Sequence, residues 1–107
     1  MNIRTFISAG LSAVLSILVA PLHAQGDAAA GKQKTAMCAG CHGIAGFRTA
    51  YPETYRVPKL GGQNAGYLVS ALKAYKAGER QHPTMKAIAA GLSEQDMADL
   101  AAYYSGK

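Results

Sequence analysis

The sequence predicts an all-α domain behind a short N-terminal leader. Two stretches in its C-terminal half place apolar side chains at i, i+3, i+4 and i+7, the spacing of one helical face. No segment shows the apolar–polar alternation of a half-buried strand. The stretch 43–62 carries Pro52, Pro58 and three glycines beyond Gly43 with no sustained period, which predicts loop.

The leader comes first. Arg4 gives a basic start, 6–20 is almost wholly apolar or small, and Pro21-Leu22-His23-Ala24 follows as a helix-breaking segment with a small end. That order predicts a secretory signal peptide cut at Ala24–Gln25. The apolar run of 15 residues is shorter than the roughly 20 that a spanning helix needs, which argues against an uncleaved anchor. The expected organisation is therefore a signal peptide over 1–24 and one domain over 25–107.

Within the domain, Asp27 and the alanines after it predict a first helix from about Asp27 to Met37. A second follows Asn64, where Leu68, Ala71, Leu72 and Tyr75 form one stripe and Gly78 marks the stop. The third has Ser93 and Asp96 in capping-box positions, Leu92 placed to staple against Met97, and Gly106 at its end. Its stripe is Met97, Leu100, Ala101 and Tyr104, so Met97 is expected in the core. Met85, after Pro83-Thr84, is placed in a loop.

Cleavage would leave 83 residues without tryptophan and with one phenylalanine, Phe47. A chain that small is marginal unless a staple, metal or cofactor adds to its core. Both cysteines lie in Cys38-Ala39-Gly40-Cys41-His42, and Cys-x-x-Cys-His reads as covalent haem attachment. Two thiols one helical turn apart can form thioethers at one haem edge, and the next imidazole then lies under the ring. Small Ala39 and Gly40 let that edge approach the backbone. The rival readings fit less well. A thioredoxin-like pair expects a βαβ setting, a zinc site needs more ligands than His82 and scattered carboxylates supply, and a plain disulfide leaves His42 unexplained.

Taken together, the pieces of the chain resemble the small class I cytochromes c of bacteria, particularly the c-four and c-five type. They are Gly26 to Lys32, Cys38 to Gly43, Pro58-Lys59-Leu60-Gly61-Gly62-Gln63, Tyr67-Leu68, Gly78-Glu79-Arg80 leading into Met85, Leu92-Ser93, and Ala101 to Tyr104. The resemblance implies the class I cytochrome c fold: three main helices and loops wrapped around one covalently bound haem. It implies Cys38 and Cys41 as the thioether residues, His42 and Met85 as axial iron ligands, Pro58 beside the His42 ring and Leu60 on the haem. His42 should then pass its second ring proton to a carbonyl of the Pro58 loop. His82, three residues before Met85, stands as the rival ligand. Tyr51, Tyr55, Arg56 and Arg80 are candidates for the propionates, with a solvated surface role as the plain alternative for each. Members of the c-four type often carry two haem domains in tandem, and one is visible here.

Iron saturated by histidine and methionine has no open position. The sequence also offers no paired carboxylates, nucleophile–base pair or Gly-rich phosphate loop. The expected function is periplasmic electron transfer, without enzymatic activity of its own. Two alternatives remain at this level: a haem subunit bound to a dehydrogenase such as a flavoprotein, and a sensor or enzyme in which Met85 is displaced. Ten basic against six acidic residues in 25–107 suit redox partners with acidic docking surfaces. No Lys/Arg cluster or aromatic ladder points to nucleic acid. Membrane contact is expected only through redox complexes.

Overall fold

The structure, a computed structural model, describes residues 25–51 and 53–107. The leader expected over 1–24 lies outside the described residues. Among the described residues five helices follow one another: α1 Ala28–Gln33, α2 Ala36–His42, α3 Ala65–Ala77, α4 Pro83–Ala90 and α5 Glu94–Ser105. Among the described residues there is no strand, only an isolated antiparallel bridge between Arg48 and Arg56. No helix among them is long and apolar enough to cross a membrane.

The caps of α3 and α5 act locally, as expected. The Asn64 side chain accepts from the Tyr67 N–H at 3.0 Å, and Gly78 ends α3 at φ 80°, a left-handed conformation that glycine adopts without strain. At α5, Ser93 Oγ accepts from the Asp96 N–H at 3.0 Å while Ser93 N–H donates to Asp96 Oδ2 at 2.9 Å.

The first helix differs from expectation. It begins where Asp27 Oδ1 caps the Ala29 and Ala30 amides, yet it is two short helices rather than one. Lys34 and Thr35 form the break. Thr35 Oγ1 donates back to the Lys32 carbonyl at 3.0 Å, and Lys34 reaches away to α5. A second difference is α4, which the sequence reading treated as loop. Pro83 opens it at the first helical position, where a missing N–H costs nothing, and Met85 sits in its first turn.

The α1–α5 crossing holds the densest packing. α5 crosses α1 on the face of Ala98, Asp99, Ala102 and Tyr103, and Gly31 lies so close that a Cβ would overlap the Asp99 carbonyl oxygen, while Met97, Leu100 and Ala101 are buried along the rest of α5. Asp99 is itself buried and fully partnered. Its Oδ1 accepts from the Asp27 N–H and from Gln95 Nε2, both at 2.8 Å, and its Oδ2 accepts from Lys34 Nζ at 2.6 Å. Lys34 also meets Asp96 Oδ1 at 2.8 Å. The Lys34 ammonium, with backbone N–H donors behind it, holds both carboxyls down at about 2. α3 packs on both α4 and α5, and the space these helices leave facing α2 is the site.

Candidate cofactor site

Helix α2 presents Cys38 and Cys41 one turn apart and ends on His42. The His42 ring is fixed by a 2.7 Å hydrogen bond between Nδ1 and the Pro58 carbonyl. A carbonyl only accepts, so Nδ1 carries the proton and Nε2 keeps an unshared lone pair. The loop supplying that carbonyl is braced at its base, where Val57 N–H donates to the Phe47 carbonyl at 3.0 Å and Thr49 N–H to Tyr55 O at 2.9 Å.

Cys38, Cys41, His42, Pro58, Leu60 and Met85 all line one cavity of about 580 Å³, within the usual range for a cofactor pocket. Leu68 and Leu72 of α3 and Ile88 of α4 add apolar wall. Tyr104 lies against Cys38. Burial pushes the Cys38 thiol up, opposed in part by its hydrogen bond with Tyr104, and burial first, then the charge of Cys38, raises the Tyr104 phenol to about 12. Among the described residues, no three His, Cys, Asp or Glu side chains converge as a metal-holding group. The two thiols and the imidazole are thus arrayed along one wall of a chamber instead of around a point. That arrangement fits a flat prosthetic group joined at its edge and ligated from below.

Of the candidate propionate partners, Tyr55, Arg56 and Arg80 line the cavity, while Tyr51 is 90% exposed and lies outside it. Met37, next to Cys38, is 68% exposed but also reaches the cavity mouth. Two participants were not legible in advance. Tyr67 lines the cavity and accepts a 3.4 Å contact from Arg80. Ile88 follows Met85 by three residues, a spacing that becomes a signal only once α4 is seen to be a helix. His82 is at the cavity too, but as the N-cap of α4: its Nδ1 accepts from the Met85 N–H at 3.2 Å.

The cytochrome c family model matches residues 28–105. The chain belongs to the cytochrome c family. Cytochrome c-554(548) of Halomonas halodenitrificans is 47% identical over 85 residues, covering 77% of this chain and 98% of that protein. The structure of reduced recombinant cytochrome c4 from Pseudomonas stutzeri matches with a TM-score of 0.61 at 38% identity, covering 77% of this chain and 46% of that one. A Stutzerimonas stutzeri protein named thiosulfate dehydrogenase electron acceptor is 38% identical over 65 residues, 61% of this chain and 29% of its own length. The chain thus spans nearly all of the first relative but less than half of the cytochrome c4. The all-α architecture is the class I cytochrome c fold, its cofactor is covalently bound haem c, and its class of function is electron transfer of the c4 type.

Proposed function

We propose that this cytochrome is a periplasmic one-electron carrier with haem c joined to Cys38 and Cys41 and ligated by His42 and Met85. The observation that supports it most is the 2.7 Å bond from His42 Nδ1 to the Pro58 carbonyl, on the wall of a cavity that Met85 also lines. That bond leaves Nε2 available and raises the basicity of the imidazole. At His82 the tautomer is the reverse. Its Nδ1 lone pair is taken by the Met85 amide, which puts the remaining proton on Nε2 and leaves no nitrogen to offer iron. Met85 is therefore the better sixth ligand.

Bound haem supplies a ferric/ferrous couple, and a thioether opposite an imidazole favours the ferrous form and raises the potential. The apolar walls from Leu60, Leu68, Leu72 and Ile88 exclude bulk water from it. The predicted signal peptide over 1–24 accounts for export to the compartment where this haem is attached. The basic balance of 25–107 favours acidic partner surfaces, with attraction screened by salt over about 8 to 10 Å. A dehydrogenase partner, whether met in passing or held in a complex, is favoured by the name of the Stutzerimonas relative.

The test is Met85→Ala beside wild type. The variant should keep its haem through acid and organic solvent, lose potential, and bind carbon monoxide or cyanide. An unchanged potential removes Met85 from the iron, and rapid ligand binding by the wild type rejects the carrier reading.

A further inference from the structure

We propose that His82 is a positioning residue for the distal ligand, holding Met85 in place as the side-chain cap of α4. The inference rests on the reading of Met85 as an axial ligand. α4 has 8 residues, too short to be stable alone, and its first turn contains no acidic side chain. Pro83 at the first position has no N–H to satisfy. The amide of Met85, at the third, is the one that the cap reaches, so the ligand residue's own backbone is what His82 grips. The His82 backbone, extended at φ −158° and ψ 104°, also accepts the first helical bond through its carbonyl, from Lys86 N–H at 2.9 Å.

His82 is held in turn from two sides. The Tyr55 ring packs 4.4 Å from it at a 52° tilt, and Tyr75 of α3 meets it edge-on at 6.3 Å. Arg80 lies over the Tyr75 ring at 4.6 Å. Tyr55 belongs to the same loop that presents the Pro58 carbonyl to His42. One loop therefore supports both faces of the cavity, orienting His42 directly and Met85 through His82. Histidine suits this place better than the usual caps because it combines an acceptor with a ring that fills the gap between two tyrosines.

Three variants of the holoprotein separate the cap from the packing. His82→Ala removes both, His82→Phe keeps a ring without the acceptor, and His82→Asn keeps an acceptor without the ring. The probe is imidazole added to the ferric protein, read against the charge-transfer band of the thioether–iron bond, with amide exchange at Met85 measured in parallel. Loss of a cap should raise imidazole affinity and Met85 exchange about 2- to 30-fold in the Ala and Phe variants, and Asn should stay within about twofold of wild type. Ala or Phe behaving as wild type, or Asn behaving as Ala, overturns the proposal. A His82→Ala protein that fails to fold while His82→Asn folds supports it; failure of both overturns it, since Asn retains the cap. Met85→Ala is the control. If it changes neither band nor affinity, the ligand reading has failed; if it changes both while the His82 variants change neither, only the positioning role has failed.

Discussion

The α1–α5 seam and the walls of the cavity solve the problem of a small core in opposite ways. At the seam, backbone meets backbone: Gly31 touches the Asp99 carbonyl, and the Asp99 side chain is exposed by only 3%. Around the cavity, Leu60, Leu72, Met85 and Ile88 remain half-buried, because the surfaces they turn inward face the chamber instead of other side chains. The seam is complete in polypeptide alone. The cavity walls close only around their cofactor. A domain this short exposes much of its surface, and the covalent haem is what allows the apolar residues of these walls to count as core.

The severest way to break that contrast is to remove the attachment. Cys38→Ala with Cys41→Ala should release haem to extraction and strip hydrogen-exchange protection from α3 and α4. The α1–α5 seam should keep more of its protection, since its Gly31 and Asp99 contacts lie outside the cavity lining, although Leu100 and Tyr104 of α5 reach it. Equal loss across all helices would show that the two regions fold as one unit and that the seam depends on haem as much as the walls do.

Gly31→Ala attacks the other side. A single Cβ at Gly31 meets main chain, which cannot rotate away as a side chain does, so the two helices must separate. Overpacking of this kind costs about 1–3 kcal/mol or more. The denaturant midpoint of the holoprotein should fall accordingly while the reduction potential stays near wild type. A shifted potential would mean that the seam sets the geometry of the cavity as well as its stability.

The same division explains which parts could be read from sequence. The caps at Asn64, Ser93 and Gly78 are bonds between residues three or four apart, so a local pattern carries them. Cys38, Cys41 and His42 lie within five consecutive residues, so the motif that implies haem c was legible for the same reason. The break at Lys34 was not, because its cause, Asp99, lies 65 residues away. Nor was α4, whose cap is a histidine outside the usual set and whose Pro83 starts a helix where Met85 was expected in a loop. Periodicity placed Leu72 and Tyr104 on apolar faces, but a stripe does not say whether it turns toward a neighbouring helix or an open chamber.

A milder perturbation addresses the seam through protons. Both Asp96 and Asp99 sit near 2 against an ordinary 3.8, because Lys34 and backbone donors favour their charged forms. A depressed folded value means that the contribution is complete above the unfolded value and is lost as protons bind. Stability should therefore hold above about pH 4 and drain as pH falls toward about 2. Asp99→Asn should be less stable at pH 7 and flatter across that acid window, measured by chemical denaturation at each pH. A variant with the wild-type slope would assign the acid dependence to other carboxyls.

The smallest effect is expected from a pair that looks similar on paper. Lys73 of α3 and Glu94 of α5 approach at 3.1 Å, yet their side chains are 50% and 79% exposed, whereas the Asp99 carboxylate in the seam is 3% exposed. In water, attraction between long mobile side chains is offset by their ordering and screened by salt. Such pairs contribute about 0.2–1 kcal/mol. Lys73→Ala should lower stability by no more than that, and the difference from wild type should vanish as salt is added. Asp99→Asn should keep most of its deficit in the same salt titration, because what it breaks is a buried set of hydrogen bonds as well as a charge pair. If both variants lost their deficits alike, the Asp99 network would be acting as a surface pair, and the seam would owe its strength to the Gly31 contact and the apolar side chains alone.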